Sequence, residues 1–455
     1  MSSELVVLLG GVVAGSLSQS RTGQVTFEYT PDYADDENST PLSVSMPLIQ
    51  RVHRGPVLDN WLTNLLPDNV QVLQRWATQF HVSASSPFAL LKHVGRDVAG
   101  AAQFVLDTEL GQLGDGGVNW LSEEEVEGRI AELESNPAAW TPEHESGQFS
   151  LPGAQPKMAL RHEDGRWGEP WGFEPTNRIV KPPTAGFRHQ ELNEHLSLAT
   201  ARKAGLRVAR SEVLTFRSRQ VISVVRYDRY RDEDGPFQRV HQEDLCQAMG
   251  LPPSKKYQSG GGPDAVEIIE LLVRLLGPVA AASRIERFVQ ALAFAWATGA
   301  PDAHAKNYSL LLSGTQIELA PLYDLNSALP YLVSDKAPAR RGQQSAATAG
   351  MAMSINGRRR FGEIERRDWE ALAARAGLAD DYVTEVVGNL VASVEEAVER
   401  AVSQELATDR LTLDQRRFAS KFQAAVVRQV KQCRVVMEGR PAPVRRKRKA
   451  PRQRS

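Results

Sequence analysis

Cysteine is nearly absent. Only Cys246 and Cys433 occur in 455 residues, far apart and without CxxC or Cys/His spacing, so neither a disulfide framework nor a zinc site is indicated and a reducing cytoplasm fits. Long apolar runs are also missing. The N-terminal "ELVVLLGGVVAGSL" begins with Glu4, has no basic segment ahead of it and is too short to span a bilayer, which argues against a signal peptide and against a membrane anchor. No repeat of 20 to 50 residues is visible. Neither sign of charge dominates, the formal net charge being -1.

What is present is ordinary globular composition, 42% hydrophobic and 24% charged, in a chain long enough for one large core or two to three smaller ones. The near-zero charge hides an asymmetry. "RPAPVRRKRKAPRQRS", residues 440–455, holds eight Lys/Arg and no acid, leaving -9 for the remainder. Rich in proline and without an apolar face, this tail reads as disordered, either a solubilising end or a contact to nucleic-acid phosphates.

Residues 1–110 read as a small α+β unit. Strands flank Gly10-Gly11, and "GQVTFEYT" alternates Val25, Phe27 and Tyr29 with polar residues, as a half-buried strand does. "DNWLTNLLPDNVQVLQRWATQF" reads as two helices split by Pro67, with Trp61, Leu65, Val70 and Leu73 as the apolar positions. Residues 111–147 are expected to be a solvated connecting helix or linker, with acids in the first turn of "LSEEEVEGRIAELESNP". Residues 148–238 read as a β-rich part and 239–438 as a helical lobe. The basic tail, from 439, follows.

The stretch "GAPDAHAKNYSLLL", residues 299–312, sets an acid, a histidine, a lysine and an asparagine among apolar runs. Burying so many polar groups is costly unless each is paired, so the cluster is a structural network or a site. Asp302 and Asn307 have the D-x-x-x-x-N spacing of a protein-kinase catalytic loop, in which the Asp accepts a hydroxyl proton and the Asn holds magnesium. The alternative is Asp302 capping a turn after Gly299-Ala300-Pro301. A second acid, Asp324 in "PLYD", follows a strand-like run and a turn at Ser313-Gly314; a hairpin there would bring Asn307 and Asp324 together as magnesium ligands.

Upstream lie candidates for phosphate contacts. "SLPGAQPK", Ser150 to Lys157, can offer backbone N–H groups and one ammonium, making Ser150, Gly153, Ala154, Gln155 and Lys157 candidate ATP-binding residues. It matches neither a Walker A sequence nor G-x-G-x-x-G, and a simple connector is the competing reading. Lys181 ends the strand "RIVK", where it could reach α/β-phosphates with Glu191 or, by choice, Glu194 of the next helix holding it; a surface lysine is the alternative. Backbone groups at Val225 and Tyr227 could meet adenine, although Tyr227 also fits a core aromatic and Asp228 a surface pair with Arg226 or Arg229.

Together with "TFEYTPDY", "PLSVSMPL", "NLLPDN", "GRDVAGA", "NEHLSL", "VVRYDRY", "QEDLCQAMGLPPSKKY" and "GGP", these motifs, spread over residues 5–360, resemble the HipA kinases, serine/threonine kinase toxins of type II toxin–antitoxin systems. The resemblance implies an α+β, protein-kinase-like bilobal fold with an N-terminal β-containing subdomain and an all-helical C-terminal lobe. It implies Asp302 as the catalytic base, Asn307 and Asp324 as Mg2+ ligands, Lys181 and His304 as ATP contacts and Tyr227 in the adenine hinge. Ser150 matches a serine that these kinases autophosphorylate, displacing the loop and switching activity off. A HipB-like helix-turn-helix antitoxin, operator DNA bound through that complex, and a protein substrate, with an aminoacyl-tRNA synthetase as one candidate by analogy, are the implied partners.

Two departures stand out. Pro152 precedes Gly153 and Pro156 replaces an acid before Lys157, and each removes an N–H donor and fixes φ. Val225 stands where an acid is common. Two rival readings remain: a catalytically idle co-repressor held on operator DNA by an antitoxin, and a metal-dependent hydrolase built on Asp302, His304 and Asp324, which leaves Lys181 and the Ser150 loop without a task. The run "DKAPARRGQQSAATAGMAMSI", residues 335–355, sits where a substrate-contacting segment would follow Asp324.

Overall fold

Two adjacent positive-φ glycines, Gly10 (φ 62°) and Gly11 (φ 84°), make the tight turn that starts the fold. They join Ser3–Leu9 to Val12–Gln19, and the antiparallel sheet they begin runs in the order Val52–Arg54, Val25–Tyr29, Val12–Gln19, Ser3–Leu9, Ala102–Val105. The expected alternation holds: Val25, Phe27 and Tyr29 are buried while Glu28 is exposed. Structure is described here for residues 3–141, 148–184, 186–231, 235–333, 344–345, 348–379 and 381–439 of a computed structural model. The basic tail and most of the segment 335–347 lie outside the described residues.

Pro67 does separate two helices, Pro56–Asn64 and Val70–Phe80, the second capped by Asn69, whose side chain accepts from the Gln71 N–H at 3.0 Å. The second helix, however, turns Val72 and Trp76 to the core and leaves Val70 exposed. Val70 is its first residue, placed before the helical face is established, so the apolar register starts two residues later.

The second sheet has six antiparallel strands in the order Ser211–Phe216, Arg219–Val225, Arg178–Lys181, Met158–Glu163, Arg166–Gly172, Gly116–Leu121. Residues 111–147, expected as a linker, thus supply its edge strand. The helix Glu123–Ser135 is held at its start by reciprocal Ser122/Glu125 capping. Its Val126, Ile130 and Leu133 are buried against the strands Ser211–Phe216 and Arg219–Val225, so three apolar residues at helical spacing make it a layer of the sheet.

The C-terminal lobe is built on Ala265–Thr298, kinked at Gly277-Pro278, with Arg366–Arg375, Tyr382–Leu406 and Leu413–Met437. It is not all-helical. A three-stranded sheet, His241–Asp244, Ser309–Ser313, Gln316–Leu319, and the pair Gly350–Ile355/Arg358–Arg360 belong to it. The hairpin expected at Ser313-Gly314 is present, since Leu310, Leu312, Ile317 and Leu319 turn one apolar face to the core. No helix among the described residues is long and apolar enough to cross a membrane.

A buried charge network joins the N-terminal unit to the chain between the lobes. Arg226 pairs with Asp97 at 3.2 Å and Asp228 at 2.9 Å, and Arg229 with Asp97 at 2.8 Å and Asp228 at 3.0 Å. Asp97 also accepts from the Thr176 hydroxyl at 2.6 Å, and the Gly100 N–H donates to Asp228 at 2.8 Å. Asp228 therefore pairs with both arginines, but in the interior and not on the surface. Burial alone would push Asp97 and Asp228 up; Arg226 and Arg229 outweigh it and hold both carboxyls below the usual range. Removing one member strands a buried charge, so Asp97→Ala is expected to cost about 3–5 kcal/mol by urea unfolding; a loss under about 1 kcal/mol would contradict this assignment.

Candidate active site

A cavity of about 830 Å³ opens between the six-stranded sheet and the helical lobe. Every site residue expected from the sequence lines it except Ser150. Lys181, last residue of its strand, donates to Glu194 Oε1 at 2.8 Å and Asp324 Oδ1 at 3.2 Å. The choice of Glu194 over Glu191 is decided by the helix Gln190–Lys203, which turns Glu194 to Lys181 and Glu191 to His189. Burial pushes Glu194 up despite Lys181, while for Asp324 the ammonium groups of Lys181 and Lys157 outweigh burial and hold the carboxyl below its ordinary value. Asp324 also has φ 54°, a left-handed backbone unusual for a residue with a side chain.

The loop 299–308 follows from the end of the long helix. Gly299 (φ 64°) ends that helix, with Ala300 N–H donating to the Ala295 carbonyl at 2.8 Å. The turn that follows is held by the backbone of Asp302: its carbonyl accepts from His304 N–H at 2.8 Å and Asn307 Nδ2 at 2.6 Å. Its carboxylate does not cap the turn. The Asp302 side chain is 51% exposed, but that exposure opens into the cavity, and it accepts from the Tyr257 hydroxyl at 2.6 Å. Partial burial raises Asp302 to about 6, with the Tyr257 hydrogen bond opposing and Asp324 adding to the rise. At neutral pH it is mostly ionised and basic enough to take a proton.

The remaining polar residues of the loop are accounted for individually. Lys306 is buried and donates to Asn64 Oδ1 at 2.7 Å, with Asp244 at 3.1 Å and Asp68 at 3.8 Å beside it. Burial, with Lys256 nearby, pushes His304 down to about 4, so its ring is neutral; it stands edge-on to Tyr257, centroids 4.7 Å apart. Asn307 and Asp324 line the same cavity, and because the Asn307 amide nitrogen is committed to Asp302, its oxygen is left to accept. One ionised carboxylate and one amide oxygen are hard donors that suit Mg2+ when a ligand's phosphates supply the other oxygens.

Ser150 is the exception. It is fully buried, its hydroxyl donating to the Leu65 carbonyl at 2.8 Å and its N–H to the Asp97 carbonyl at 3.0 Å, so it cannot contact a ligand in this conformation. Beyond it the loop does reach the cavity. Gly153 has φ 108°, a backbone conformation that strains any residue with a side chain and so favours glycine. Lys157 donates to the Pro152 carbonyl at 2.6 Å and stands 4.8 Å from the Trp140 ring centroid. At the opposite wall the Val225 N–H is taken by the Arg210 carbonyl at 2.8 Å, and the Tyr227 hydroxyl donates to Gln242.

Among the lining residues not singled out by sequence are Asp68, Lys256 and Tyr257. Lys256 pairs with Asp68 at 2.7 Å, and its carbonyl accepts from Ala305 N–H at 3.1 Å, strapping this segment to the loop. The signals were "NLLPDN" and "PPSKKY", which carry polar residues beside prolines but no spacing that links them.

Family models match two parts of the chain: the HipA N-terminal domain over residues 5–105 and the HipA-like C-terminal domain over residues 149–398. Y4mE of Sinorhizobium fredii, which carries a provisional kinase name, is 36% identical over 396 residues, 86% of this chain and 90% of that protein. The serine/threonine-protein kinase toxin HipA of Shewanella oneidensis is 32% identical over 340 residues, 71% of this chain and 75% of the relative. A solved complex of Shewanella oneidensis HipA with HipB and its operator DNA aligns with a TM-score of 0.81 at 25% identity, covering 96% of this chain and 98% of that one.

The cavity leaves a signature in stability. Burial, with Lys181 beside it, lowers Lys157 from 10.5 to about 7, so between those values the unfolded chain binds more protons and folding stability rises with pH; below about 7 the full penalty applies. Lys157→Met is expected to flatten that rise in urea unfolding compared at about pH 7 and about pH 9.5. Identical pH dependence in the two proteins would contradict it.

Proposed function

This chain belongs to the HipA family, and from that membership we propose that it is an ATP- and Mg2+-dependent serine/threonine protein kinase that acts as a growth-inhibiting toxin. The observation that carries the reading is the convergence on one cavity of Lys181, Asp302, Asn307 and Asp324, with Lys181 ion-paired to Glu194. Lys181 is a fixed cation for the α/β-phosphates, already oriented by two carboxylates. The Gly153-Ala154-Gln155 segment and Lys157 cover the phosphates, and the backbone at Val225, its amide spent on Arg210, faces adenine through its carbonyl.

In the transfer step the acceptor hydroxyl gives its proton to Asp302 as its oxygen bonds to the γ-phosphorus and the bond to ADP breaks. Asn307 and Asp324 would hold Mg2+, which when bound would supply charge neutralisation at the phosphate oxygens. His304, kept neutral, closes the wall beside Asp302 without adding a competing cation.

Ser150 is the proposed autophosphorylation site and off-switch. A phosphate carries about -1.5 to -2 charge at neutral pH and cannot occupy a fully buried position facing the Leu65 carbonyl, so a phosphorylated loop leaves its seat and takes Gly153 and Lys157 with it. Pro152 and Pro156 stiffen the loop that makes this move. A HipB-like antitoxin and, through it, operator DNA are the proposed partners, and the cellular target is a protein, an aminoacyl-tRNA synthetase being the candidate by analogy.

With labelled ATP and Mg2+ the purified protein should incorporate phosphate at Ser150, and Asp302→Asn should lower the rate by about 10²-fold or more. Equal labelling of the two proteins would remove Asp302 from the role of base.

A further inference from the structure

The chain from Pro253 to Gly262 makes two single 3-10 turns, Pro253–Lys255 and Gln258–Gly260, beside the loop that carries Asp302. Between the turns stands Tyr257. Its hydroxyl donates to Asp302 Oδ1 at 2.6 Å, and its ring is set edge-on against His304. The backbone around it is fixed from both sides: the Lys256 carbonyl accepts from Ala305 N–H at 3.1 Å, and the Tyr257 carbonyl accepts from Gly260 at 2.9 Å and Gly262 at 3.0 Å. Gln258 anchors the segment elsewhere, its amide nitrogen donating to the Ser354 hydroxyl at 3.0 Å and its oxygen accepting from Ser354 N–H at 2.7 Å. Ser354 lies on the strand Gly350–Ile355, at the end of the segment that follows Asp324.

A half-exposed carboxylate can rotate, and a base that rotates presents either oxygen at random. A phenol donating to Oδ1 fixes the carboxylate plane and leaves Oδ2 for an acceptor's proton. Burial, together with the Asp302 carboxylate it bonds, pushes the Tyr257 hydroxyl well above its ordinary value, so it stays a donor at working pH.

We propose that Tyr257 is a positioning residue for Asp302, and that the Gln258–Ser354 pair ties this positioning to the strand Gly350–Ile355. The proposal rests on the kinase reading above. Two other arrangements would give the same contact: a ring that serves only packing, or a hydroxyl that occupies the acceptor's place and must be displaced.

The test uses the full chain, labelled ATP with Mg2+, and the rate constant of phosphate incorporation into the protein itself as ATP is raised to saturation. Tyr257→Phe keeps the ring and removes the donor. A hydrogen bond to a charged group is worth enough that its loss should lower the saturating rate constant about tenfold, with the half-saturating ATP concentration within about twofold of wild type. Gln258→Ala, distant from the reacting atoms, should lower the same rate constant about threefold, again without changing half-saturation. An unchanged rate in Tyr257→Phe makes the ring packing only, a faster rate makes the hydroxyl a stand-in for the acceptor, and a change confined to half-saturation places it in nucleotide binding; each overturns the proposal. If Tyr257→Phe does not fold, an unchanged rate constant in Gln258→Ala overturns it. Wild-type protein that binds ATP but transfers no phosphate removes the kinase reading itself, and the proposal with it.

Discussion

Lys181 joins three parts of the molecule that the chain keeps far apart. It ends a strand of the six-stranded sheet, meets Glu194 on the helix that follows, and reaches Asp324 in the C-terminal lobe. One buried ammonium serves two carboxylates, and taking away Lys181 would leave both Glu194 and Asp324 without their cation. That arrangement sets the local electrostatics. It keeps Asp324 ionised in spite of burial, and it leaves Asp302, which has no such cation in contact, raised to about 6. Two aspartates on one cavity thereby acquire different proton affinities and can do different work.

The same logic, satisfied buried charge, holds the surroundings in place. Asp97, Arg226, Asp228 and Arg229 lock the N-terminal unit onto the segment beside the cavity wall at Val225 and Tyr227. Gly100 allows this close approach: at φ 87° a Cβ would lie 2.8 Å from the Gln242 carbonyl oxygen. Lys306 does the equivalent for the loop after Asp302 by bonding into Asn64 and Asp244. The polar cluster of residues 299–312 is therefore a structural network through Lys306, while Asp302 faces the cavity.

Much of this was legible in the sequence where the constraint is local. The Gly10-Gly11 turn, the alternation in Val25–Tyr29, the break at Pro67 and the hairpin after Asn307 follow from backbone preferences and periodicity. Asp302 and Asn307 stood out by their D-x-x-x-x-N spacing, Lys181 as a lysine ending a strand and Asp324 as an acid beyond a hairpin, and the structure brings all four to one cavity. What escaped is non-local. Tyr257 approaches Asp302 across 45 positions and Lys256 approaches Asp68 across 188, and nothing in either neighbourhood announces the partner. Asp228 looked like a surface residue because arginines flank it, yet those arginines are buried by a domain whose docking the local sequence does not display. The helix Glu123–Ser135 looked solvated because its acids outnumber its apolar residues, although three apolar side chains on one face suffice to dock it. Ser150 lay in a loop legible as polar and small, while its burial depends on Leu65 and Asp97.

The charges gathered around Lys181 are proposed to form a site for ATP, with Asp324 holding Mg2+. Calorimetric titration of ATP into the protein, with and without Mg2+, tests it on wild type and Asp324→Asn. Mg2+ should tighten ATP binding to wild type and have little effect on Asp324→Asn. Equal Mg2+ dependence in both proteins, or no ATP binding by wild type, would contradict it.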